Sequence, residues 1–268
     1  MNYCTSYYQS EATRQKIHEL RFSTKALNDA LGYAERHSDQ RVIVEILDLH
    51  ETHLPNISKL HKIHEEMPNI FYDFYDLSDL VEYAKHFNRT VNYIMYHQPA
   101  LTWGLVQILL YYNVSDITLG EPLVFDLIEI QKNIKSHGVK IRVRPNFAKP
   151  PLAREVGTDK GIHHFWILPQ HLHMYENYID VIDLLDNNIV RETAIVNAYT
   201  CGQPYEGRLD TLIEGVECGI GATFIDDKFV QRRLTCGQNC LKNSNYCHHC
   251  DQYVKMYEVI AAQRKSSN

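Results

Sequence analysis

No segment of this sequence approaches the roughly 20 consecutive apolar residues that span a bilayer, so no membrane-crossing helix is expected. Basic residues are not in excess. Lys and Arg number 27 against 33 Asp and Glu, a formal net charge of −6, and nothing in that balance would gather nucleic acid. The opening residues, "MNYCTSYYQSEATRQK", lack the charged-then-apolar order of a signal peptide, and the expected location is the cytoplasm. The first strand-like run is followed by "LDLHETHLPN", which contains no glycine and so cannot form a dinucleotide-binding loop. No Gly-x-Ser-x-Gly elbow occurs, which argues against an α/β-hydrolase. "HEEMPNIFYD" does not place a second histidine where a zinc-protease helix needs one. Interdomain linkers and low-complexity tracts are also missing.

What is present has the composition of an ordinary globular protein, with 44% hydrophobic and 22% charged residues. The length of 268 residues suits a single (β/α)8 domain. Short β-branched or aromatic runs recur: "RVIVEILDL" at 41, "NIFYDFYD" at 69, "TVNYIMYH" at 90, "VSDITLG" at 114, "VKIRVRPN" at 139, "IHHFWILP" at 162, "TAIVNAYT" at 193 and "GATFIDD" at 221. Between them, "EPLVFDLIEIQKNIKSHG", "YENYIDVIDLLDNN" and "RLDTLIEGVECG" carry helical spacing of apolar residues, the first ending at Gly138. Eight strand–helix units predict an α/β protein with a (β/α)8 TIM-type barrel over 41–230. An N-terminal helical extension over 1–40 and a cysteine-rich loop with a helix over 231–268 complete the expected organisation. An open doubly wound sheet is the alternative.

Alternate strand positions point into a barrel, and several of them here are polar. Glu45 lies inside "VIVEIL", Asp73 inside "FYDFY", and Arg142 and Arg144 share one face of "KIRVRP". Glu45, Asp73, Arg142 and Arg144 are therefore candidate substrate-binding residues, the two arginines gripping an anionic group. His97 and Glu121 follow strands and are candidate acid/base groups, with Arg144 beside them as the third candidate catalytic residue. The same charges could instead neutralise one another as buried salt bridges. His50, His53, His61 and His64 read as solvated side chains of a crossover helix and its approach. The 18 tyrosines are expected mostly in the core or a cleft.

Of seven cysteines, Cys4, Cys201 and Cys218 are scattered, while Cys236, Cys240, Cys247 and Cys250 are clustered. Cys236-x3-Cys240 with Cys247-x2-Cys250 supplies four soft thiolates within one polar loop, which suits tetrahedral zinc or, alternatively, an iron–sulfur cluster. A four-thiolate zinc site is normally structural.

The fragments "DITLGEP" and "CGQNC", on a barrel with late cysteines, resemble the collagenase-like peptidase family, in outline over 41–250. That family includes accessory proteins of ubiquinone and RNA hydroxylation that carry iron–sulfur clusters. The resemblance implies Cys236 and Cys240 as cluster ligands and no catalytic residue. Two functions are thus expected: a metal-binding enzyme or hydroxylation-type accessory protein taking an anionic substrate at the barrel mouth, or a non-catalytic scaffold with a structural zinc knuckle. The partner is a small molecule or a protein.

Overall fold

The computed structural model describes residues 2–6, 17–52, 54–85, 91–95, 103–119, 134–146, 166–184, 189–201, 204–216, 219–232 and 249–266. Eight strands occur among them: β1 (Asn2–Ser6), β2 (Glu19–Phe22), β3 (Arg41–Ile46), β4 (Ile70–Phe74), β5 (Val91–Met95), β6 (Val114–Leu119), β7 (Lys140–Val143) and β8 (Val181–Asp183). All pairings are parallel. Strands β1 to β7 form a curled sheet in sequence order, and the three-residue β8 bridges its two edges by pairing with both β7 and β1.

Helices pack on the outside: α1 (Leu27–Arg36) after β2, α2 (Ile57–Glu66) after β3, α3 (Leu77–Ala84) after β4, α4 (Trp103–Tyr111) after β5 and α5 (Ile189–Thr200) after β8. The short α6 (Leu209–Leu212) and the 18-residue α7 (His249–Ser266) follow. Two helix starts are set by side-chain caps, Asn56 accepting from Lys59 N at 3.0 Å and Asp76 from Ser78 N at 2.7 Å.

This corrects the expected (β/α)8 TIM-type barrel with a helical extension. The first two strands lie within residues 1–40, where the described helical residues are α1 and a 3-10 turn, Thr24–Ala26, before it, and the link from β7 to β8 carries a 3-10 turn, Pro169–Met174, rather than a described α-helix. Two expected strands are not strands, and the described part of a third is not one. "TAIVNAYT" lies in α5, because its buried residues Ile195, Val196 and Tyr199 follow a helical period and not alternation. "GATFIDD" is a 3-10 turn at Ala222–Phe224, and the described part of "IHHFWILP", residues 166–169, is buried and forms no strand, Ile167 N donating to the Pro145 carbonyl at 3.0 Å. Conversely, the expected helix "YENYIDVIDLLDNN" contains β8.

The main apolar core lies between sheet and helices. Leu20, Phe22, Val42, Val44, Ile46, Tyr72, Phe74, Ile117, Ile141 and Val143 point outward into it. Tyr72 and Tyr199 bury their rings there, and their hydroxyls donate to the carbonyls of Leu60 (3.1 Å) and Ile167 (2.7 Å). His61 and His64 are part of this layer and not solvated: they are 2% and 4% exposed. His61 Nε2 meets the Tyr83 carbonyl at 3.1 Å and His64 Nδ1 meets the Tyr83 hydroxyl at 3.1 Å. They fall on the α2 face that also carries Leu60 and Ile63, so α2 and α3 seal against each other through rings. No helix among the described residues is long and apolar enough to cross a membrane.

Candidate functional site

The inner face of the curled sheet is charged. Strand alternation sends Glu19 and Arg21 of β2 inward while Leu20 and Phe22 face the helices. The same rule places Arg41 and Glu45 of β3, Asp73 of β4, Asn92 of β5, Asp116 and Thr118 of β6, Arg142 of β7 and Asp183 of β8 inside, with Arg144 following β7. These groups form two layers. A small apolar cluster of Cys4, Ile43 and Val181, flanked by Phe71, lies at intermediate positions along the strands.

The layer nearer the strand N-termini holds Glu19, Arg41, Asp116 and Arg142. Asp116 Oδ2 receives Arg41 Nη1 at 2.7 Å and Arg142 Nη2 at 2.8 Å, while Glu19 Oε2 lies 2.7 Å from Arg142 Nη2. Arg41 also donates to Asn92 Oδ1 at 2.9 Å and stacks its guanidinium 3.9 Å from the centre of the Phe71 ring. Burial alone would raise the Asp116 carboxyl, but Arg142 and Arg41 outweigh it and hold it below its ordinary value.

The layer at the strand C-termini holds Arg21, Glu45, Asp73, Arg144 and Asp183. Arg21 grips Asp183 with two nitrogens, Nε to Oδ1 at 3.2 Å and Nη2 to Oδ2 at 2.9 Å, and its Nη1 reaches both Asp73 and Glu45. Arg144 spans Asp183 (2.8 Å) and Glu45 (3.0 Å). Glu45 Oε1 accepts a third donor, the Tyr75 hydroxyl, at 2.8 Å. Burial works to raise the Asp183 and Glu45 carboxyls, yet Arg21 and Arg144 prevail and hold both below the usual range. Burial pushes the Tyr75 phenol up, so it is a proton donor at neutral pH. Asn92 joins the layers by donating to Asp73 Oδ1 at 2.6 Å.

The structure therefore brings Glu45, Asp73 and Arg144 of the expected substrate-binding set together, and places Arg142 in the other layer. The two arginines share a face of the chain but do not form one fork, because each is held by its own carboxylates. Sequence reasoning missed Glu19, Arg21, Arg41, Asp116 and Asp183. Their signal was a charge on the inward-facing alternation of short runs: two in "ELRF", Arg41 at the start of "RVIVEI", and one each in "VSDITL" and "VID".

His97 and Glu121 lie outside the described residues, as do Cys236, Cys240 and Cys247. Cys250 is the second residue of α7. Among the described residues no group of three or more His, Cys, Asp or Glu side chains is arranged to hold a metal ion. Cys201 is exposed at the end of α5, its thiol donating to the Ala198 carbonyl at 3.4 Å, and Cys218 is outside the described residues. Compared with known protein families and with curated proteins, the chain matches no family model and no curated protein.

Proposed function

We propose that this chain is a small-molecule-binding protein that receives a positively charged group, an amine or a guanidinium, where Glu45, Tyr75, Arg21 and Arg144 meet. One observation carries the reading. The C-terminal layer sets three carboxylates, Glu45, Asp73 and Asp183, against two guanidiniums, Arg21 and Arg144, and Glu45 is the most exposed of the three acids, at 18%. The next charge accommodated there is positive. An anionic ligand fits less well, since both arginines already spend their donors on carboxylates and would have to give them up. The Glu45 and Asp183 carboxylates, held ionised by those arginines, would bind and orient the cation with Asp73 beside them. No chemical step is assigned to them.

The experiment is a calorimetric titration with agmatine, which carries a guanidinium and an amine on a short chain. Binding to the wild-type protein that is lost in Glu45→Gln supports the reading. Absence of binding at millimolar agmatine, or equal binding by the variant, removes it.

The cysteine loop belongs to the same proposal. Cys236, Cys240, Cys247 and Cys250 would hold one zinc in a reducing cytoplasm, as a structural clamp before α7. The resemblance to collagenase-like peptidases supports an iron–sulfur cluster as the alternative at Cys236 and Cys240. Elemental analysis of protein purified without oxygen separates the two. One zinc and a colourless protein fit the clamp, whereas iron and sulfide with a brown colour fit the cluster. Neither metal would leave the cysteines as free thiols and end this part of the proposal.

A second reading, the non-catalytic scaffold, is favoured by the N-terminal layer, where two carboxylates and two guanidiniums pair one for one.

A further inference from the structure

Arg142 is fully buried, and its carboxylate partners engage only Nη2. Nε and Nη1, which together carry three N–H groups, have no hydrogen-bond partner among the described residues. Other buried atoms of this layer share the condition, among them Asp116 Oδ1 and Thr118 Oγ1 on the neighbouring strand. Thr118 and Arg142 are register partners on β6 and β7, and Asp116 precedes Thr118 by two residues on the same face. All three residues are 0% exposed. Leaving a buried donor or acceptor unpaired is destabilising, so four such atoms in one place need an occupant.

Charge decides its chemistry. Glu19 and Asp116 already balance Arg41 and Arg142. An added anion would face Asp116 Oδ1 without a counter-charge, and an added cation would face the Arg142 N–H groups. Either would be a buried charge without compensation. The occupant is therefore neutral and must both donate and accept. Neighbouring strands lie about 4.8 Å apart, a gap that one molecule making two hydrogen bonds of about 2.8 Å can bridge. A buried polar site with two to four partners of this kind is a water site.

We propose that the interior between β6 and β7 binds long-lived water. It accepts from Arg142 Nε or Nη1, donates to Asp116 Oδ1, and is steadied by the Thr118 hydroxyl. The water completes the N-terminal layer as a rigid polar plug, independent of any ligand at the opposite end.

The test is water-to-protein cross-relaxation by NMR on protein labelled at arginine, read at Arg142 Nε–H. The wild-type protein should show a cross-peak with the sign of a slowly exchanging water. In Thr118→Gln, whose amide extends by about the volume of one water, that cross-peak should vanish while the protein stays folded. Should this variant not fold, Thr118→Val, which keeps the shape and removes the hydroxyl, should weaken the cross-peak at least twofold. No water contact at Arg142 Nε–H in the wild-type protein would overturn the proposal, as would a crystal structure with a protein acceptor at that atom.

Discussion

The N-terminal layer of the interior matches Glu19 and Asp116 with Arg41 and Arg142, whereas the C-terminal layer sets Glu45, Asp73 and Asp183 against Arg21 and Arg144. The residue types are the same and the strands are shared, yet the first layer is neutral and the second keeps one carboxylate in excess. Position along the strand accounts for the difference. Arg142 is 0% exposed, so each charge beside it must be cancelled, while the Glu45 side chain reaches solvent and tolerates the imbalance. The first layer acts as a plug, and the second retains charge for a ligand.

Acid should test both layers at once and with the largest effect. Asp116, Asp183 and Glu45 all have carboxyls held below their ordinary values in the folded protein. The unfolded chain therefore takes up protons first. The stability they contribute is complete well above about pH 4.3, and it is lost progressively as pH falls through the unfolded-state values of about 3.9 and 4.3 toward the depressed folded ones. Urea unfolding followed from pH 7 down to pH 2 should show a steep decline beginning near pH 4.5. A flat profile across that range would mean the pairs contribute nothing.

Single substitutions should separate the layers. Asp183→Asn leaves Arg21 and Arg144 short of the carboxylate they share, and should cost about 3–5 kcal/mol in urea unfolding at pH 7. Arg142→Met leaves Glu19 and Asp116 with Arg41 as their one remaining guanidinium in the layer, and should cost a similar amount, about 3–5 kcal/mol, by the same measurement. Outside the interior the effects should be smaller. Asp76→Ala removes the cap that accepts from Ser78 N and Asp79 N at the start of α3, and should cost about 1 kcal/mol. A loss of 3 kcal/mol there would show that the helix layer, and not the interior, dominates stability.

The central strands were legible in the sequence because "RVIVEI", "IFYDF" and "VSDITL" are long enough for apolar residues to appear on the outward face. β1, β2 and β8 were not, since "NYCTS" shows no apolar alternation and "ELRF" and "VID" hold only two and one outward-facing apolar residues. α5 misled in the opposite direction: its β-branched content suggested a strand, while its buried residues follow a helical period. For the site, Glu45 and Asp73 were found because each interrupts an apolar run, and Arg142 and Arg144 because they alternate with Ile141 and Val143. Which layer each belongs to depends on strand register, and composition carries no record of that.

The distinction between the layers reduces to two isosteric substitutions, Asp116→Asn and Glu45→Gln, compared by urea unfolding at pH 7. Asp116→Asn removes a fully matched carboxylate and should cost about 3 kcal/mol or more. Glu45→Gln removes the surplus one, leaves Asp73 and Asp183 to neutralise Arg21 and Arg144, and should change stability by no more than about 1 kcal/mol. Equal losses, or a greater loss for Glu45→Gln, would contradict the account.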